Sequence, residues 1–220
     1  MVEREASKIA IIVITSDKGL CGGLNANLLR EVTNFASQEA SAGREISYSI
    51  IGTKARSFFK SFGGDVMSAT EKLGDDPSIE QLVGSIKLLL DSFGEEKLDR
   101  VYLASNIFVN SMTQSPEIKQ LLPLAKIEDK KEPTRWDYIY EPDDSRKLLD
   151  GLMGRYIESL VYQAVVENIA CEQAAKMVAM KSATDNAGEL IEELQLVYNN
   201  ARQAAITQEI SEIVAGAEAL

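Results

Sequence analysis

The last third of the chain sets the strongest constraint on its fold. From Ser145 to Leu220 there is no proline, and apolar residues recur every three or four positions to the end. That spacing marks one amphipathic helix, and proline is the residue that would break it. At about 1.5 Å per residue such a helix runs on the order of 100 Å, several times the width of a domain made from the rest of the chain. Leu190, Leu194, Val197, Ala201 and Ala204 step by four and three, the seam of a coiled coil. Ile206, Ile210, Ile213 and Ala217 then resume the stepping out of phase. Further upstream the stripe is made of small residues, Ala164, Ala170, Cys171, Ala174, Ala175, Ala183 and Ala187, which would admit another helix at close range. Only seven residues precede Lys8. The helix therefore expects a partner from elsewhere, either a second copy or a segment outside this sequence.

Before residue 142 the period is different. Lys8 to Thr15 is a near-continuous β-branched run, as expected for a strand covered on both faces. Gly23 to Ala40 follows with Leu24, Leu28, Leu29, Val32 and Phe35 at helical spacing. A second strand is expected at 47–52, then a short helix through Phe58 and Phe59 that stops at Gly63 and Gly64, then a third strand from Asp65 to Ala69. Asp76 or Ser78 caps the next helix, with Pro77 near its first turn and Ile79, Leu82, Val83, Ile86 and Leu89 or Leu90 on one stripe. Residues 100–109 read as a strand, and 118–124 and 136–142 as further strands. Strands alternating with helices predict an α/β fold, a mostly parallel sheet flanked by helices with right-handed crossovers. The expected organisation is a globular domain over 1–144 and the long helix over 145–220.

Composition closes several routes to function. A net charge of −11 opposes sequence-independent nucleic-acid binding, which needs basic residues to displace counterions from phosphates. With no histidine, the chain has no imidazole acid–base chemistry or histidine metal site. Cys21 and Cys171 form no metal-ligand spacing and are expected to be free thiols in a reducing compartment. No apolar run is long enough to span a membrane, and the first residues lack the order of a signal peptide, so the chain reads as cytosolic.

The stretch TSDKGLCGGLN at 15–25 lies where α/β proteins often hold a phosphate. Gly19, Gly22 and Gly23 nevertheless give GxxGG, neither GxGxxG nor GxxxxGK[ST], and no acidic residue ends the second strand. It reads as a strand-to-helix turn whose glycines take positive φ, with Ser16 or Asp17 bonding nearby amides. Lys18 beside Cys21 favours thiolate, but one lysine is thin support for a reactive cysteine. The carboxylate pairs Asp75/Asp76, Asp143/Asp144 and Glu192/Glu193 are neighbours that do not face each other on a helix, and they read as caps and solvated faces. More informative is the end of the long helix. From 198 to 217 it contains no lysine and sets Arg202, Gln203, Thr207, Gln208 and Glu209 among alanines and isoleucines, a composition suited to insertion into a protein sleeve.

With SDKGLCGGLNANLL, WDYIYEPD and the last fifty residues in view, the chain closely resembles the gamma subunit of bacterial F-type ATP synthase over essentially its whole length. The resemblance implies a Rossmann-like domain that binds no nucleotide or other cofactor, flanked by N- and C-terminal helices wound into an antiparallel coiled coil. It implies a non-catalytic rotor shaft on the cytoplasmic side of the bacterial inner membrane, peripheral and without lipid insertion. The shaft would couple rotation of the c-subunit ring to ATP synthesis in the beta subunits. Its implied partners are the alpha and beta subunits, the epsilon subunit and the c ring. By position, Arg202, Gln203, Thr207 and Glu209 correspond to contacts with the beta subunits, Glu172 and Lys176 to coupling and assembly, and Tyr138, Tyr140 and Glu141 to contacts with the c ring and epsilon. Members carry a long helix before the first strand, whereas Met1 here falls almost on it, so the sequence is expected to lack most of that helix. Two rival readings are a flavodoxin-like enzyme with a dimerisation arm and a coiled-coil adaptor.

Overall fold

A computed structural model describes residues 6–124 and 145–218. Its elements are β1 (Lys8–Ile14), α1 (Leu24–Ser41), β2 (Glu45–Ile51), α2 (Thr53–Phe62), β3 (Asp65–Thr70), α3 (Ile79–Gly94), β4 (Arg100–Asn110), β5 (Thr113–Leu122) and α4 (Ser145–Glu218). The five strands form one sheet in the order β3-β2-β1-β4-β5, parallel except for β5, which runs antiparallel to β4. The mostly parallel sheet, the flanking helices and the long C-terminal helix are as the sequence pattern predicts.

The apolar run of β1 is explained by its central place. Its alternate side chains divide between two cores. Ile9, Ile11 and Val13 join Leu28, Leu29 and Val32 of α1, Tyr48 and Ile50 of β2, and Phe59 of α2. Ala10, Ile12 and Ile14 join Leu82, Ile86, Leu89 and Phe93 of α3 on the opposite face. Ile157, Val161, Ala164 and Val165 of α4 belong to that second core. At the start of α3 the cap is Ser78, whose N–H donates to Gln81 Oε1 at 3.1 Å, and Pro77 precedes the cap.

Three expectations need revision. The strand placed at 118–124 is β5, which begins earlier, at Thr113, and forms a hairpin with β4 closed by Asn110 Oδ1 accepting from the Met112 and Thr113 amides. The small-residue stripe is split: Ala164 packs in the sheet core and Cys171 against Cys21 and Leu24, so this part of the stripe meets the globular fold and not a partner from elsewhere. The glycine turn takes positive φ at Gly22 and Leu20, while Gly23 has φ of −85°. Both cysteines are free and buried. The expected strand at 136–142 lies outside the described residues.

By compactness the chain divides into Met1–Met177 and Val178–Leu220. The second unit is helix throughout its described length, and from 180 to 217 every residue except Asn199 is exposed. Its seam residues Leu190, Leu194 and Val197 are 55%, 58% and 56% exposed.

Candidate functional site

In a doubly wound sheet, ligands bind beyond the carboxyl ends of the strands where the strand order reverses. Here that place is the end of β1, between β2 and β4. A cleft of about 240 Å³ lies there, floored by Ile14, Ile51 and Leu73 and walled by Asp17, Asn168 and Glu172. It is smaller than the roughly 300 Å³ at which small-molecule pockets begin.

Its polar groups are engaged with one another. Asp17 Oδ1 accepts from the Thr53 amide at 3.0 Å, the Thr53 hydroxyl at 2.7 Å and the Lys72 amide at 3.2 Å. Thr15 Oγ1 accepts from the Ala55 amide at 2.9 Å. The amides at the start of α2, which a phosphate would use, are thus taken by two side chains of the β1–α1 turn. Burial pushes the Asp17 carboxyl up, but the Thr53 hydroxyl and amide, with the Lys72 and Gly74 amides, outweigh it and hold the group below the ordinary carboxylate value. Gly52 has φ of +102°, and a Cβ there would lie inside the van der Waals shell of the Thr15 carbonyl. The glycine thus serves close packing of β2 against the β1–α1 turn. The expectation that Ser16 or Asp17 bonds nearby amides holds for Asp17, although its partners are distant in sequence. Ser16 instead donates its hydroxyl to the Lys18 carbonyl at 2.6 Å and its amide to Asn25 Oδ1 at 3.1 Å.

Glu172 and Lys176 sit one turn apart on α4, and Lys176 Nζ donates to Glu172 Oε1 at 2.9 Å. Glu172 is 5% exposed. Its hydrogen bond raises the Lys176 ammonium above its usual pKa against the opposing effect of burial, and the charges of Glu172 and Asp75 add to the rise. Among the described residues Lys176 is the ion-pair partner of Glu172, and its loss would leave the buried acid without a counter-charge. Nearby, Lys18 pairs with Asp75 at 3.4 Å on the surface. Cys171 is kept protonated: burial, then the Glu167 charge, pushes its thiol up to about 11.

Arg202, Gln203, Thr207 and Glu209 all lie in the second unit and are exposed. At about 100° per residue, the stripe Leu190 to Ala204 and the stripe Ile206 to Ala217 come out on nearly opposite faces of α4. The same geometry sets Arg202 and Glu209 along one flank of the upper stripe and Gln203 and Thr207 along the other. Thr207 Oγ1 donates back to the Gln203 carbonyl at 2.8 Å. Ile206, Ile210 and Ile213 are all exposed. The tip is therefore an apolar ridge with polar margins, the layout of a protein-binding surface. Tyr138, Tyr140 and Glu141 lie outside the described residues.

Sequence reasoning missed a buried polar pair. Asn106 Nδ2 of β4 donates to Asn168 Oδ1 of α4 at 2.8 Å, and each residue is 1% exposed. The available signal was a lone asparagine on the helix face that carries Val161, Ala164 and Val165. Among the described residues no group of histidine, cysteine or carboxylate side chains is placed to hold a metal ion, and no helix is long and apolar enough to cross a membrane.

A family model described as ATP synthase matches residues 1–220. Curated relatives named ATP synthase gamma chain from Acinetobacter baumannii and Acinetobacter baylyi are 55% and 56% identical over 223 aligned residues, covering all of this chain and 77% of their own length. A chain of the Euglena gracilis mitochondrial ATP synthase, solved with OSCP, F1 and c-ring in rotational state 3, superposes with a TM-score of 0.73 at 19% identity, covering 98% of this chain and 73% of that one. A chain from the central stalk and c-ring of the Tetrahymena thermophila mitochondrial ATP synthase gives 0.65 at 23% identity, covering 82% and 78%. At such identities these superpositions speak for the fold.

Proposed function

The chain belongs to the ATP synthase gamma chain family, and from that premise we propose that it is the non-catalytic shaft of the enzyme's central stalk, coupling rotation of the c ring to ATP synthesis in the beta subunits. The observation that carries the reading is the exposed helix from 180 to 217, whose apolar stripes find no cover among the described residues. Such a helix works by being gripped. A shaft drives its surroundings by favouring one conformation of each neighbour over another, which requires contacts that differ from neighbour to neighbour. The tip supplies them: an isoleucine ridge between the Arg202–Glu209 and Gln203–Thr207 margins presents different chemistry in different directions.

The partners in this reading are the alpha and beta subunits around the helix, with epsilon and the c ring meeting Tyr138, Tyr140 and Glu141. The chain would be peripheral at the cytoplasmic face of the bacterial inner membrane, as part of that complex. Glu172 and Lys176 serve coupling and assembly in this reading, as a pair formed within α4. The flavodoxin-like alternative is disfavoured because the glycines of the β1–α1 turn lack a phosphate-binding spacing, and the amides at the start of α2 are taken by Asp17 and Thr15.

The test is Arg202→Ala combined with Gln203→Ala in the assembled synthase. Both residues are exposed, so the helix content and melting of the chain should be unchanged, while assembly or ATP-driven proton pumping falls. Unchanged pumping in reconstituted vesicles would refute the assigned contacts.

A further inference from the structure

Strand β4 outruns its neighbour. The β1–β4 ladder ends at Val13 opposite Ala104, yet β4 continues to Asn110. On its other side β4 stays paired with β5 to the end. Residues two apart in a strand point their amide and carbonyl groups to the same side, so the Asn106 carbonyl and the Phe108 amide face the side that β1 has vacated. Both find partners on α4. The Cys171 thiol donates to the Asn106 carbonyl at 3.5 Å, and the Phe108 amide donates to Glu167 Oε1 at 3.1 Å. Between them the Asn106 side chain donates to Asn168 at 2.8 Å. One turn of the helix, Glu167 to Cys171, therefore stands in for a missing strand.

Below this turn, α4 packs into the sheet core with apolar side chains, Ile157, Val161, Ala164 and Val165 among them. Apolar contact is non-directional and fixes axial position weakly. Hydrogen bonds at single distances do fix it, because any slide or roll of the helix leaves buried groups unpaired. The geometry points to Asn106 and Asn168 as positioning residues: a register lock that holds the long helix at one axial and rotational setting on β4, so that load carried along α4 reaches the globular domain without slip. This rests on the shaft reading above.

The decisive variant is Asn106→Leu with Asn168→Leu, which replaces both partners by apolar groups of similar size and so removes the bond without stranding either group. In the assembled synthase, hydrolysis per complex and the melting temperature should stay near those of the unmodified enzyme, while protons pumped per ATP hydrolysed fall severalfold. The single change Asn168→Leu, which strands Asn106, should lower both stability and pumping. If the double variant restores stability and pumps as many protons per ATP as the unmodified enzyme, the pair is structural only and the lock is refuted. If the unmodified chain itself fails to assemble with alpha and beta subunits or to support pumping, the shaft reading fails instead. Exchange of the Phe108 amide, faster in the double variant than in the unmodified chain, reports the lock independently of pumping, and unchanged protection there would also overturn it.

Discussion

Replacing Leu190, Leu194 and Val197 by alanine separates a helix that needs a partner from one that does not. In the chain alone these residues are 55%, 58% and 56% exposed, so truncation removes little that is buried and should shift the unfolding free energy by no more than about 0.5 kcal/mol. With a partner the remaining exposed surface becomes buried. At about 0.8 kcal/mol per methylene, scaled by the exposed fraction, each leucine loses about 1.3 kcal/mol and the valine about 0.9, together about 3.5 kcal/mol per chain, or about 7 kcal/mol and roughly 10^5-fold in affinity when two such chains pair. Ile157→Ala is the control. It is 1% exposed in the sheet core, and its truncation should cost about 2–5 kcal/mol in the isolated chain. Urea unfolding at low protein concentration measures the first quantity, and sedimentation across a concentration series measures the second, because the unmodified chain should self-associate through this stripe. A triple variant that lowers the urea midpoint as far as Ile157→Ala does would mean the stripe is already satisfied within the chain. The account of the helix as a gripped element would then be wrong.

Two further outcomes follow from the cleft at the end of β1. Gly52→Ala combines a strained φ with a clash against the Thr15 carbonyl and should destabilise the chain by about 3 kcal/mol or more; a thermal midpoint within a degree or two of the unmodified protein would show that the backbone there can yield. Asp17 has its pKa depressed in the folded chain, so its contribution is present above the unfolded value of about 3.9 and is lost as pH falls through the folded value. The stability gap between the unmodified chain and Asp17→Asn should therefore be wide at neutral pH and close below about pH 4, and a gap of constant size across that range would remove the carboxylate from the explanation.

Most of the fold is legible because its signals are local. The β1 run is apolar on both faces because two cores use it, and the Asp76-Pro77-Ser78 stretch announces the start of α3, with Ser78 as the cap. Residues Thr113 to Glu117 are not legible as strand. They alternate polar side chains on an edge of the sheet, where even Pro116 is tolerated because its missing N–H is not required there. The long helix is legible as a helix, but its period is the same where Ile157 and Val161 pack on the sheet as where Leu190 and Leu194 face solvent, so periodicity alone cannot tell the two apart. The candidate site divides in the same way. Glu172 and Lys176 lie one turn apart and their pairing follows from helical spacing, whereas Asp17 finds its partners 36 and 55 residues away. The Asn106–Asn168 bond spans 62 residues, and no local pattern encodes such pairs.

The change of apolar side between Ala204 and Ile206 makes α4 a rod with two orientations written into one backbone. Whatever clasps the lower stretch cannot be what clasps the upper, unless it crosses to the other flank. Removing one residue between them, Ala205, would leave each stretch intact yet turn the terminal turns by a little over a quarter of a revolution, at about 100° per residue. That position is a phase dial, at which the timing between the two grips can be advanced or delayed without altering either one.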